Sequence, residues 1–125
     1  MKGTSERLRV AIIADYLEEE WPSMDLVADM LVEHLQREHA DVVAATLVRP
    51  PMPRRLTRLP LPLGRAKVSV LDRAAARQWD YPRTLRQVRG RFDVYHVVDH
   101  TYAHLVHALP PAQCVVTCHD VDAFR

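Results

Sequence analysis

The stretch LRVAIIA at residues 8–14 decides the fold, because it is a short aliphatic run that ends at Asp15. Aliphatic residues without polar alternation are typical of a strand that is buried on both faces, as in a parallel sheet. Residues 24–38 follow with the apolar spacing of an amphipathic helix, and Ser23 is suited to be its N-cap. The stretch DVVAATLV at residues 41–48 predicts a second strand, so this part of the chain is a strand–helix–strand unit.

The second half of the chain continues the alternation of strands and helices. The predicted elements are helices at residues 69–80 and 83–90, a strand at 94–98 (VYHVV), a helix at 101–109 and a strand at 114–118 (CVVTC). Pro82 separates the first two helices, and Gly90 ends the second. The sequence therefore predicts an α/β fold with a doubly wound parallel sheet, in one domain over residues 1–125.

The composition is that of a soluble globular protein, with 48% hydrophobic and 26% charged residues. No apolar run approaches the roughly 20 residues that cross a bilayer, and the first ten residues lack the features of a signal peptide. We therefore expect a cytoplasmic protein. Cys114 and Cys118 are four residues apart on a predicted strand, roughly 13 Å along it, which is too far for a disulfide. Two buried thiols are expected.

Positive charge is concentrated in one segment of the chain. Residues 49–91 hold twelve of the seventeen Lys and Arg residues but two of the sixteen acids, whereas the net charge of the whole chain is +1. Five prolines interrupt residues 49–63. Residues 49–67 are therefore predicted to form a basic, proline-rich loop.

An arginine row follows in this segment, where Arg83, Arg86 and Arg89 recur at every third position. A solvated helix face is the simplest interpretation of the row. The functional interpretation is attachment to an anionic lipid surface, which would place the protein peripherally on a membrane. Nucleic acid is not expected as a partner, because the segment offers only Trp79 and Tyr81 for stacking on bases.

Polar residues follow the last two predicted strands, at the edge where open parallel sheets bind ligands. Asp99 and His100 come after the third strand, and His119 and Asp120 come after the fourth. A histidine beside a carboxylate can both donate hydrogen bonds to a sugar hydroxyl and accept them. The alternative is structural, with Asp99 as the cap of the following helix and His119 as the cap of a loop.

The strings FDVYHVVDH (residues 92–100) and VVTCHD (residues 115–120) resemble the strand-end motifs of retaining GT-B glycosyltransferases, in particular those of glycosyltransferase family 4. The opening strand and helix are similar to that family as well, so the resemblance covers nearly the whole chain except its basic middle. It implies a Rossmann-like sheet that is the partial, acceptor-side N-terminal domain of a GT-B fold. Such enzymes transfer a sugar from a nucleoside-diphosphate sugar to an acceptor hydroxyl with retention of configuration.

The resemblance also implies roles for individual residues. His119 would be the catalytic residue beside the reacting sugar. Asp99, His100 and Asp120 would bind the sugar or glycoconjugate acceptor. The nucleoside-diphosphate sugar is a co-substrate, so the resemblance implies no tightly bound cofactor.

Two features depart from the family pattern. The donor-phosphate loop of the family carries a glycine pair, whereas Pro22, Ser23 and Met24 stand here, and Pro22 has no N–H to offer a phosphate. The chain also lacks the family's C-terminal donor-binding domain, so we expect a partial protein that is inactive alone. The alternative is a non-catalytic α/β binding or interaction module left by truncation or degeneration.

Two further classes of site are not favoured by the sequence. His100, His104 and His107 have helical spacing, but no further ligand has the spacing of a zinc motif, so no metal site is expected. No G-x-G-x-x-G follows the first strand, which argues against a nucleotide-binding dehydrogenase domain.

Overall fold

The computed structural model describes residues 6–54, 60, 62 and 64–119 and contains a four-stranded, all-parallel sheet. The strands are β1 (Leu8–Ile13), β2 (Val43–Val48), β3 (Val94–Val97) and β4 (Cys114–Val116), in the spatial order β2-β1-β3-β4. The predicted α/β fold with a parallel sheet is confirmed. Each strand is one or two residues shorter than predicted: β1, β3 and β4 end earlier, and β2 starts later.

The helices alternate with these strands along the chain. They are α1 (Pro22–Glu38), α2 (Arg65–Ala75) and α3 (Tyr81–Val88), with a π-helical turn at Ala76–Asp80 and 3₁₀ helices at Leu17–Glu19, His100–Ala108 and Pro111–Gln113. None of the described helices is long and apolar enough to cross a bilayer.

The starts of the α-helices correct three predictions. α1 begins at Pro22 with Trp21 as its N-cap residue, so Ser23 lies inside the first turn and the predicted Ser23 cap is wrong. Proline suits this position because the first helical N–H has no partner within the helix. Pro82 likewise lies in the first turn of α3, and the π-turn joins α2 to α3 without the predicted break. α2 begins at Arg65, so the proline-rich loop ends earlier than predicted.

The ends of two elements also bear on the predictions. Gly90 follows α3 with φ +87, which confirms it as the residue that ends this helix, since side chains rarely adopt that conformation. The segment after β3 is a 3₁₀ helix rather than the predicted regular helix, with a kink at the buried Tyr102. Cys114 is half-buried, but β4 ends at Val116 and leaves Cys118 exposed, so the prediction of a buried thiol is wrong for Cys118.

Helices cover both faces of β1 from Val10 onward, and this explains why the strand is apolar there, whereas Arg9 before it is exposed. Ala11 and Ile13 point into a core shared with α3 and the π-turn. Val10 and Ile12 point to the opposite face and pack in a second core, which includes Ala28 of α1. A strand covered on both sides has no solvent-facing position to fill with a polar residue.

The order of the strands creates a switch point at the carboxyl edge of the sheet. The chain passes from β1 outward to β2 and then crosses back to β3, on the other side of β1. In open parallel sheets, the crevice between two strands whose connections diverge in this way is the usual ligand site. The candidate site therefore lies where β1 and β3 end.

Candidate functional site

Two aspartates occupy equivalent positions on either side of the switch point. Ile13 of β1 pairs in register with Val97 of β3. Asp15 and Asp99 each lie two residues beyond these partners, so both carboxyl groups sit at the same height of the sheet. Both side chains are buried, with exposed fractions of 1% for Asp15 and 5% for Asp99.

Asp99 is held in its charged form by hydrogen-bond donors. Its Oδ1 accepts a bond of 3.0 Å from the N–H of Thr101, so Asp99 does cap the 3₁₀ helix that follows β3. The Nδ1 atom of His100 is 3.8 Å from the same oxygen. Burial alone would raise the pKa of Asp99, but bonds from Asp15 and Thr101 outweigh it and hold the pKa below its ordinary value.

Asp15 has the opposite environment. No described N–H group or hydroxyl donates to either of its carboxyl oxygens. Burial, followed by the neighbouring Asp99 carboxylate, raises the pKa of Asp15 to about 8. The raised pKa keeps the proton on Asp15 at neutral pH, while Asp99 is the charged carboxylate, and we call these two coupled acids the proton-sharing pair.

His119 reaches the same edge from β4. It is exposed, and its Nε2 lies 2.6 Å from the carbonyl oxygen of Val98, the residue that precedes Asp99. A carbonyl oxygen only accepts hydrogen bonds, so Nε2 carries a proton, and Nδ1 is the ring atom left to face a ligand. The structure thus brings together three of the residues selected by sequence, Asp99, His100 and His119. Asp120 lies outside the described residues.

A second histidine, within β3, forms a hydrogen bond across to the end of β4. The Nε2 of His96 on β3 is 2.6 Å from the hydroxyl of Thr117, just beyond β4. Burial, and then the nearby His119, lower the pKa of His96, so this ring is neutral at pH 7. The sequence analysis assigned no role to His96. Its position inside a mainly buried strand could have indicated that its side chain has a hydrogen-bond partner within the protein.

Three buried tyrosines fix the backbone around Asp15. The N–H of Tyr16 donates to the Tyr102 hydroxyl at 3.3 Å, and the Tyr16 hydroxyl donates to the carbonyl of Ala76 at 3.2 Å. The Tyr81 hydroxyl donates to the carbonyl of Ala14 at 2.5 Å. These tyrosines come from distant parts of the chain, and no sequence pattern links them.

An ionic contact lies next to the tyrosines. The guanidinium of Arg77 stacks on the ring of Tyr102 at 4.4 Å and donates to the carbonyl of Thr101 at 2.6 Å. The Nε of Arg77 is 3.6 Å from the carboxylate of Glu19, whose side chain is 5% exposed. Burial, and then Glu19, raise the pKa of Tyr102, so this phenol stays neutral.

The N-terminus of α1, which contains the candidate donor-phosphate loop, offers an anion little. Pro22 has no N–H, and the N–H of Met24 donates to the carbonyl of Trp21 at 3.0 Å. Of the three residues of the loop, Ser23 is therefore the one whose N–H could bind a phosphate. Asp25 lies in the same turn and adds a carboxylate, whose Oδ1 is 4.0 Å from the guanidinium of Arg49. A role in binding donor phosphate stays a prediction, and this local charge weakens it.

The arginine row lies on the surface. Arg83, Arg86 and Arg89 are all exposed, and none of them forms an ion pair with a described acid. Trp79 precedes Arg83 by one turn and is 68% exposed. Within the described ranges, no group of three or more His, Cys, Asp or Glu side chains is arranged to hold a metal ion.

Comparison with protein-family models, curated proteins and solved structures finds no match to this chain. The family resemblance of the two strand-end motifs is therefore a hypothesis. The class of protein that the structure defines is an α/β protein with a four-stranded parallel sheet, compatible with a Rossmann-like fold.

Proposed function

We propose that this chain is the acceptor-side part of a retaining glycosyltransferase with a GT-B fold. The observation that carries the proposal is the gathering of Asp99, His100 and His119 at the switch point, beside the proton-sharing acid Asp15. A sugar acceptor needs several donors and acceptors on one rigid surface, and this edge supplies both kinds.

The arrangement suits the orientation of a hydroxyl group. With Nε2 of His119 bound to Val98, Nδ1 is the atom that accepts a hydrogen bond from a substrate hydroxyl. Asp99 supplies a charged acceptor that its own hydrogen bonds hold in place. In this proposal, such contacts fix the acceptor hydroxyl and the transferring sugar relative to each other.

The co-substrate of the proposed reaction is a nucleoside-diphosphate sugar. We place its diphosphate on a second, donor-binding domain outside this chain, because the N-terminus of α1 carries Asp25 and Pro22 rather than glycines. The chain by itself is then expected to bind an acceptor without turnover.

Mutation of His119 in the full-length enzyme tests the catalytic assignment. His119→Ala should lower turnover by at least about 100-fold, the usual scale for loss of a group that acts on a reacting proton, without unfolding the protein. His107→Ala is the matched control, because His107 is an exposed histidine on the 3₁₀ helix after β3. Wild-type turnover in His119→Ala would sink the assignment.

One observation favours a second candidate, a non-catalytic α/β binding module. It is the acidic N-terminus of α1, where a donor phosphate would otherwise sit. Saturation-transfer NMR on this chain separates the candidates from a dehydrogenase domain, with simple sugars and nicotinamide dinucleotide as probes. A sugar signal in the absence of transfer by the full-length protein would favour the binding module.

The arginine row supports a further part of the proposal, a peripheral contact with an anionic membrane. Replacement of Arg83, Arg86 and Arg89 by Gln should weaken binding to phosphatidylserine-containing vesicles by about 100-fold, because each base near such a surface adds to the attraction. Co-sedimentation measures the change, and vesicles of neutral phosphatidylcholine are the control. Equal binding of both proteins to anionic vesicles would contradict this contact.

A further inference from the structure

A surface groove lies beside the switch point, between the segment after β1 and the helix α2. Its volume is about 310 Å³, and it is lined by Glu19, Trp21, Val70, Arg73, Ala74 and Arg77. We call it the Trp21 groove. Glu19 and Arg77 connect it to the candidate site, because both interact with Tyr102 and the Tyr102 hydroxyl bonds the backbone directly after Asp15.

Trp21 gives the groove an exposed aromatic wall. Its side chain is 57% exposed, although burial of an indole normally stabilises a fold. The face of an indole ring carries negative charge density, which attracts the weakly positive C–H groups on the apolar face of a sugar ring. The aliphatic side chain of Val70 extends this wall. An aromatic ring beside a few polar groups is the usual composition of a small-molecule site.

The polar groups of the groove differ in how they are held. Arg77 is fixed by Tyr102 and by the carbonyl of Thr101, and it offsets the charge of the buried Glu19 carboxylate. Arg73 makes no ion pair with any acid in the described part of the chain. Arg73 is therefore the cation of the groove that forms no ion pair with a described acid, although Glu18 and Asp72 line a small neighbouring cavity with it.

We propose that the Trp21 groove binds the anionic group and the ring of a charged sugar, such as a sugar phosphate or a uronic acid. The ring would stack on Trp21, and the anion would pair with Arg73. This inference rests on the proposed function, because it names the chemical class of the acceptor bound at the neighbouring site.

Fluorescence of Trp21 tests the proposal on this chain. The sequence has two tryptophans, and Trp79→Phe leaves Trp21 as the only one. Trp79 is exposed and lies outside the groove, so the substitution should not affect folding. The probes are glucose 6-phosphate, glucuronate, glucose and inorganic phosphate. Each of the two charged sugars should change the Trp21 emission and bind at least about 10-fold more tightly than glucose or phosphate alone.

Substitution of Arg73 tests which residue binds the anionic group. Arg73→Gln in the Trp79→Phe background should weaken binding of glucose 6-phosphate by about 10- to 100-fold, the usual loss when a charge-assisted hydrogen bond is removed. Arg91→Gln is the matched control, since Arg91 is an exposed arginine that follows α3 and lies outside both the groove and the arginine row. Circular dichroism confirms that both variants are folded.

The outcomes separate this inference from the proposed function. No change of Trp21 emission with either charged sugar would overturn the groove as a site, and so would equal affinities for glucose 6-phosphate and inorganic phosphate. Equal effects of Arg73→Gln and Arg91→Gln would overturn the role of Arg73. Binding of charged sugars together with full turnover in His119→Ala would support the groove and remove the catalytic assignment instead.

Discussion

The ends of β1 and β3 place the same residue type at the same height of one sheet, yet the two aspartates differ in charge. Asp99 receives the N–H of Thr101, because a 3₁₀ helix starts directly after it. After Asp15 the 3₁₀ helix starts one residue later, so Tyr16 rather than Asp15 is its N-cap residue, and the N–H of Tyr16 is bound to the Tyr102 hydroxyl. Burial is nearly equal at the two positions. The comparison teaches that local hydrogen-bond donors, rather than burial, decide which acid is charged.

The largest expected effect concerns the pH dependence of stability. The pKa of Asp15 is raised from 3.8 to about 8 in the folded protein, so between these values the unfolded chain has lost a proton that the folded chain retains. Stability therefore falls as pH rises through this window, with a slope of about 1.4 kcal/mol per pH unit for one proton. Asp15→Asn should remove this slope, because a neutral amide donates to Asp99 at every pH. Urea denaturation from pH 4.5 to pH 8 measures it.

The matched control for this experiment is Asp41→Asn, which changes an exposed acid just before β2. It should keep the wild-type slope. An unchanged slope in Asp15→Asn would mean that Asp15 is ionised in the folded protein. Asp15 and Asp99 would then have the same charge, which would contradict the comparison of the two strand ends.

A smaller effect is expected at Asp99. Asp99→Ala removes the cap from Thr101 and leaves the Asp15 carboxyl buried without a partner, so the free energy of unfolding at pH 7 should fall by about 2 to 4 kcal/mol. Asp99→Asn keeps an oxygen that accepts from Thr101 and should cost about 1 kcal/mol. Chemical denaturation compares the two variants. Equal losses would show that the Thr101 bond does not hold Asp99.

The smallest effect is expected at His100. It is the least of the groups that lower the pKa of Asp99, so His100→Gln should change stability at pH 7 by less than about 0.5 kcal/mol. The stability that Asp99 adds is present above pH 3.8 and is lost as pH falls through its lowered pKa. In His100→Gln this loss should begin at slightly higher pH. Carbon NMR titration of the carboxyl group measures the shift, and an unchanged titration would show that His100 does not act on Asp99.

Much of the fold could be predicted from local sequence. The mainly apolar runs that contain Ile12 and Val97 located the strands, because strand residues that are covered on both faces are seldom polar. Helix boundaries were less predictable. Pro82 breaks a helix only when an N–H is needed at its position, and the first turn of α3 needs none.

The candidate site could be predicted only in part. The rule for strand ends identified Asp99 and His119 correctly as neighbours at one edge. It gave no reason to single out Asp15, since the unusual state of this acid depends on which donors are missing around it. Those donors are engaged by residues far away in sequence, such as Tyr102, and a single sequence does not reveal such contacts.

The π-turn at Ala76–Asp80 makes the site depend on the length of a helix. Two carbonyls of the turn have outside partners: that of Ala76 accepts from Tyr16 in addition to the N–H of Tyr81, and that of Arg77 bonds His104. In evolutionary terms, such a turn is a one-residue insertion into an α-helix. Loss of that residue would rotate α3 by about 100° relative to α2 and carry Tyr81 away from the backbone next to Asp15. We therefore expect deletion of one residue from the turn to remove the Tyr81 contact with the backbone that precedes Asp15.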